Sequence, residues 1–236
     1  MIGIITYHSA YNYGSVLQAY ATQEAVKSID SNVKIINYRM DEQKNFYSLY
    51  RFNYGLFRGL KDLRELPIHF KRKSRSNKFE SFISNKMVLT KYFSQPEKFE
   101  EIANQFSLII SGSDQILNKH SNELRNNDWK YMDPYLLKKF KGRRISYASS
   151  LGNMEEDELK EILPIIKDFE YFSVREKSTA LKIEKEIGKK IQWVCDPTFL
   201  LSRNDWIKKL QLEKNDKDYI LYYSLSGRDG FMENHP

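Results

Sequence analysis

The sequence predicts an α/β fold, a Rossmann-like parallel sheet with flanking helices, and three observations predict it. Short β-branched runs alternate with longer stretches of helical periodicity, as in consecutive βα units. Small, polar or charged residues follow the predicted strands repeatedly, as expected where loops gather at one edge of a parallel sheet. The composition, 41% hydrophobic and 29% charged, leaves room for a sizeable core and lies away from the disordered class.

The strands are expected at 2–6, 33–37, 108–111, 144–147, 172–174 and 191–194. Between the first two, Val16, Ala19, Tyr20, Gln23 and Val26 recur at helical spacing, and Ser15 followed by Gln18 has the form of a capping box. A second box, Asn153 with Glu156, opens a helix over 154–169 that should be bent or interrupted near Pro164, its acidic first turn suiting the positive end of the dipole. Another helix is expected over 176–187, stopped by Gly188. Residues 40–90 break the alternation, first Tyr/Phe-rich and then basic, and are expected to form a helical insertion. A last strand, 219–224, follows a polar stretch and is left without its helix. The chain therefore reads as a Rossmann-like domain over 1–212 and the truncated start of a second over 213–236.

Several function classes drop out. A lone Cys195 permits no intramolecular disulfide, and four scattered histidines show no zinc spacing, so no metal site is expected. The N-terminal apolar run is too short for a signal peptide, and no stretch approaches the roughly 18 apolar residues of a membrane helix. A cytoplasmic protein is expected. The formal charge of +7 gathers partly in basic runs at 71–78 and 138–144. These are solvated faces or, alternatively, contacts to an anionic lipid surface. No helix-turn-helix or RNP-like motif supports a nucleic-acid partner. Asp216-Lys217-Asp218 has the D-x-D form of some metal sites but precedes a strand, so it reads as a surface turn.

The candidate site residues follow the strands. After the first come His8, a weak candidate base, and then Asn12, Tyr13 and Gly14 at a helix entrance, where Gly14 would admit a ligand to the backbone and Asn12 offers donor and acceptor. After the third come Ser113, Asp114 and Gln115, a set suited to a polyhydroxylated ligand; after the fourth, Ser149 with Ser150 and Gly152. The fifth delivers Arg175, whose planar fork would bind a ligand carboxylate or phosphate, or else form a salt bridge to Glu176 or to a neighbouring loop.

Together these stretches resemble the polysaccharide pyruvyl transferase family: residues 12–21, Ser111-Gly112-Ser113-Asp114-Gln115 with Asn118, Tyr147-Ala148-Ser149-Ser150 with Gly152, Ser173-Val174-Arg175-Glu176 with Ser178, and Asp196-Pro197-Thr198 with Trp206. Leu117 stands where the family usually has Trp. The resemblance implies the first half of a two-domain, GT-B-type architecture and transfer of pyruvate from phosphoenolpyruvate to a sugar hydroxyl pair, forming a ketal in surface polysaccharide synthesis. It implies phosphoenolpyruvate as donor substrate without a separate cofactor, a glycan or lipid-linked saccharide as acceptor, and peripheral association with the inner membrane face. It further implies that Arg175 holds the donor anion while Asn12, Gly14, Ser113 and Asp114 line the cleft. The family's proton-donor His has no counterpart in this sequence, and His235, in the unmatched tail, is not given its role. The alternatives are a non-catalytic glycan- or anion-binding remnant and a nucleotide-sugar glycosyltransferase sharing the architecture.

Overall fold

The computed structural model describes residues 1–47, 66–121, 129–213, 218 and 220. The chain divides into two compact units, Met1–Ser202 and Arg203–Pro236.

The first unit is built on six parallel strands: β1 (Ile2–Ile5), β2 (Val33–Ile35), β3 (Leu108–Ser111), β4 (Arg143–Ser149), β5 (Tyr171–Val174) and β6 (Gln192–Trp193). Their spatial order is β2-β1-β3-β4-β5-β6, every pair parallel. This is the Rossmann-like fold the sequence predicts. The order reverses between β1 and β3, and the loops on either side of such a switch point leave a crevice at the carboxyl edge. β2 ends earlier than expected: Ile36 N still donates to Ile4 O at 2.7 Å, but Ile36 O accepts from Tyr38 N at 2.8 Å in a tight turn. On the outer side Ile35 N donates to Val88 O and Ile35 O accepts from Thr90 N, 2.8 and 3.0 Å.

Helix α1 (Tyr13–Lys27) buries most of its surface, including Gln18, Thr22 and Gln23. Those polar groups are paired: Gln23 donates to Lys86 O at 3.0 Å and accepts from Val88 N at 2.6 Å, stitching α1 to the end of a later helix. The predicted Ser15–Gln18 box does not form. Asn12 is the N-cap, its Oδ1 accepting from Gly14 N at 2.8 Å, and Ser15 and Gln18 turn inward instead. The described part of the insertion is helical, as expected: α2 (Asp41–Phe46) and α3 (Leu66–Lys86). After it come a 3₁₀ turn at Pro96–Lys98 and α4 (Phe99–Ala103).

Helix α5 (Glu156–Lys167) starts two residues later than predicted, Glu155 N donating to Glu158 Oε2 at 3.0 Å, so the box is Glu155/Glu158. It runs through Pro164 because that residue lies on the exposed face, where the carbonyl it leaves unbonded can reach water. Its other face buries Leu159, Ile162, Leu163 and Ile166. α6 (Lys177–Ile187) ends at Gly188, at φ 68°, as the sequence predicts. The main core cluster packs Ile5, Ile109 and Val174 from the strands against Phe99, Phe106, Tyr135, Ile162 and Ile183.

The second unit contains α7 (Arg203–Leu210), closed by Leu212 N donating to Ile207 O at 3.0 Å. The expected strand at 219–224 and most of the D-x-D turn fall outside the described residues.

Candidate active site

The carboxyl edge of β1, β3, β4 and β5 brings four of the predicted loops together. At its centre is Arg175, which follows β5 directly. Its Nε donates to Glu176 Oε1 at 3.1 Å and its Nη1 to Asp196 Oδ2 at 3.2 Å, while Nη2 lies 3.9 Å from Asp114 Oδ1. Burial opposes the charged guanidinium, but Asp114, Glu176 and Asp196 outweigh it and raise the pKa. Of the two readings of Arg175 left open by the sequence, the structure shows the ion pair: the guanidinium is held by Glu176 and by Asp196 at the sheet edge, with Asp114 beyond.

Asp114 is fixed from several sides. Ser15 Oγ donates to its Oδ2 at 2.5 Å and Gln115 N to its Oδ1 at 2.8 Å. Its own backbone is left-handed, φ 78°. Ser15, read from sequence as a cap, therefore joins the loop after β1 to the loop after β3. Asp196 is held likewise, its Oδ1 accepting from Thr198 N and Thr198 Oγ1 at 3.0 and 2.8 Å. Glu176 differs, since its buried Oε2 meets no donor among the described residues.

The predicted serines lie beneath this cluster. Ser113 is fully buried, donating to Ala148 O at 2.7 Å, and its N–H reaches Gln18 Oε1 at 3.2 Å. Ser149 is buried against Ser146 Oγ at 2.8 Å. The Ser113 hydroxyl ties the loop after β3 to the end of β4, and the Ser149 hydroxyl bonds within β4 and reaches Ser111 O of β3 at 3.4 Å. Close approach explains two glycines there. A Cβ on Gly112, at φ 119°, would stand 2.2 Å from Tyr147 O, and one on Gly152, at φ 58°, would stand 2.5 Å from Asn118 Nδ2. Asn12, Gly14 and Gln115 lie on the exposed rim, Gln115 accepting from Asn118 Nδ2 at 3.0 Å.

His8 is completely buried. Its Nδ1 lies 3.2 Å from Thr6 O and its Nε2 3.0 Å from Asn37 Oδ1. Burial, with Arg39 nearby, lowers its pKa to about 4, so the ring is neutral at pH 7. The structure places it under the site, away from the open edge where a base would meet substrate.

Sequence reasoning missed a second feature of this edge. Beside the same β1–α1 loop opens a cavity of about 670 Å³, lined by Ser9 and Tyr11 of that loop, Asn37 and Arg39 beyond β2, and Lys73 and Glu80 of α3. Its signal was divided among four separate stretches, the fourth at Tyr92, none a motif. A groove of about 620 Å³ on another face of α3 is different in kind, floored by Val16, Leu17 and Phe79 with Lys71 and Lys78 at its margin. Among the described residues, no group of His, Cys, Asp and Glu is placed to hold a metal ion, and no helix is long and apolar enough to cross a membrane.

Comparison with known proteins fits the geometry. The family model for polysaccharide pyruvyl transferase matches residues 12–234. No curated protein and no solved structure matches the chain.

Proposed function

The chain belongs to the polysaccharide pyruvyl transferase family, and we propose that it transfers pyruvate from phosphoenolpyruvate to a pair of sugar hydroxyls, forming a ketal during surface polysaccharide synthesis. The family match across residues 12–234 carries this reading. The carboxyl-edge cluster supports it with groups of the required chemistry.

The reaction adds a proton to the donor's methylene carbon, joins two sugar oxygens to the neighbouring carbon and breaks its bond to the phosphate oxygen. Two hydroxyl protons leave the sugar; one is matched by the proton gained at the methylene carbon and the other leaves with inorganic phosphate. Carbon C2 passes through an oxocarbenium-like state that nearby carboxylates stabilise. In this reading Glu176 accepts a hydroxyl proton, because its Oε2 is the carboxylate oxygen of this cluster that lacks a donor among the described residues. Arg175 takes the donor's carboxylate or phosphate by exchanging a carboxylate partner, and Asp114, fixed by Ser15, keeps the guanidinium at the edge. Asn12, Gly14 and Gln115 line the rim across which the substrates enter, over the floor set by Ser113 and Ser149.

We place the unit Met1–Ser202 as the first half of a GT-B-type pair and the protein at the cytoplasmic face of a membrane, acting on a free or lipid-linked glycan. The basic margin of the α3 groove, Lys71 and Lys78 beside exposed Phe70, supports that location. The test is calorimetric titration of phosphoenolpyruvate into the wild-type chain and an Arg175→Ala variant. Binding that weakens at least tenfold in the variant is expected; equal binding by both proteins would remove Arg175 from the donor site.

A further inference from the structure

The cavity beside α3 carries the opposite charge balance to the Arg175 cluster. Among the described residues, Arg39, Lys44 and Lys73 line it, against the single carboxylate of Glu80. Glu80 is already committed: its Oε1 accepts from Arg39 Nη1 at 2.7 Å and from the Tyr11 hydroxyl at 3.0 Å. Arg39 is oriented a second time by Nε donating to Asn37 Oδ1 at 3.0 Å, and that same oxygen lies against buried His8. One end of the cavity is thus a guanidinium held in place by a polar network rooted beneath the sheet edge, as expected of a built recognition group.

The opposite wall is adaptable. Lys44 and Lys73 are exposed, and Lys44 Nζ sits 5.7 Å from the ring centre of Tyr92, which is 44% exposed. A partly open aromatic face beside cations and hydrogen-bonding groups suits a sugar ring, whose C–H face packs on the ring while its hydroxyls bond at the edge. The size is right for a mono- or disaccharide, within the roughly 300–1,000 Å³ of small-molecule sites. The loop that lines this cavity through Ser9 and Tyr11 also supplies Ser15 to Asp114, so an occupant lies along the same sheet edge as Arg175.

We propose that this cavity binds the acceptor saccharide and selects one that bears an anionic group, Arg39, Lys44 and Lys73 meeting the charge while Tyr11 and Tyr92 meet the sugar. The inference rests on the pyruvyl transferase reading for the word acceptor, and its test is independent of the donor. Glucose 1-phosphate, glucuronate, glucose and inorganic phosphate are titrated calorimetrically into the full chain and into a Lys44→Ala/Lys73→Ala double variant, whose changed side chains are exposed and leave the fold intact.

Glucose 1-phosphate or glucuronate is expected to bind at least tenfold more tightly than glucose or inorganic phosphate, and to lose at least tenfold in the double variant. Preference between the first two identifies a phosphate-linked or a carboxylate-bearing sugar. Equal binding of glucose overturns the role of charge. Equal binding of inorganic phosphate overturns the role of the sugar. No saccharide binding, or no loss in the variant, overturns the site. Phosphoenolpyruvate titrated into the same double variant should bind as it does to wild type. Loss of phosphoenolpyruvate binding in this variant would put the donor in the cavity beside α3 and overturn its assignment to the acceptor.

Discussion

The two halves of the carboxyl edge are built on opposite plans. Around Arg175, three carboxylates surround one guanidinium and neighbouring loops are locked by buried serines and close-packed glycines. Beside α3, among the described residues, three cations face one carboxylate in an open cavity with exposed lysines. The contrast separates two jobs that a single site often combines. The packed half fixes geometry, and an anion entering it must replace a carboxylate already in place. The open half attracts anions without rearrangement, because its cations exceed its carboxylates and two of them are free to follow a ligand.

The packed half is the easier to break. Gly112→Val should have the largest effect, since the new Cβ meets Tyr147 O at 2.2 Å and the backbone sits at φ 119°. A loss of about 3 kcal/mol or more is expected. Urea unfolding at pH 7 measures it, and a variant as stable as wild type would show that the β3 and β4 loops are not locked as described.

The two halves share a foundation in His8, and pH tests it. The folded-state pKa is lowered from 6.5 to about 4, so between those values the unfolded chain binds the extra proton. The contribution is fully present above pH 6.5 and is lost as pH falls toward about 4, amounting to about 3 kcal/mol at most. Urea midpoints followed from pH 7 to pH 4.5 should fall, and a His8→Gln variant should show a shallower fall whatever its stability at pH 7. An unchanged slope would mean that His8 is not the group that resists protonation.

Within the packed half, Glu176→Gln separates chemistry from support. Gln keeps an oxygen acceptor for Arg175 Nε but removes the carboxylate from the position whose Oε2 lacks a donor. A fall of about 100-fold in phosphate release from phosphoenolpyruvate is expected, with donor affinity kept or raised up to about tenfold by the lost negative charge. A parallel loss of donor affinity would instead make Glu176 a support for Arg175.

Much of this arrangement was legible in the sequence, and for a clear reason. Strands β1 and β3 announce themselves as short apolar runs, and the residues after each strand must fall at one edge once the strands are parallel. Arg175 and Asp114 were found by that rule alone. What the rule cannot supply is depth. Ser113 and Ser149 have the same composition as surface hydroxyls, yet the left-handed turn at Asp114 and the close approach of Gly112 to Tyr147 carry them inside. Ser15 likewise fits a capping box locally, but Asn12 caps the helix and the Ser15 hydroxyl goes to Asp114, 99 residues away in sequence. The α3 cavity was illegible because its walls come from the loops after β1 and β2 and from a helix whose basic residues read as a solvated face.

The smallest expected effect is also the sharpest test of the contrast. If carboxylate crowding sets the cost of bringing an anion to Arg175, removing one negative charge should help the donor bind. Asp196→Asn keeps the side-chain oxygen that accepts from Thr198 N, so the turn at Pro197–Leu200 stays capped. It weakens the partner of Nη1, now 3.2 Å away, and leaves Asp114 and Glu176 in place. Phosphoenolpyruvate affinity should rise about three- to tenfold, equivalent to about 1 kcal/mol for one partly exposed charge. The same substitution should leave saccharide binding beside α3 unchanged, because Asp196 does not line that cavity. Titrating both ligands into one variant therefore reads the two halves separately. Weaker donor binding would show that Asp196 orients the guanidinium for the donor instead of competing with it.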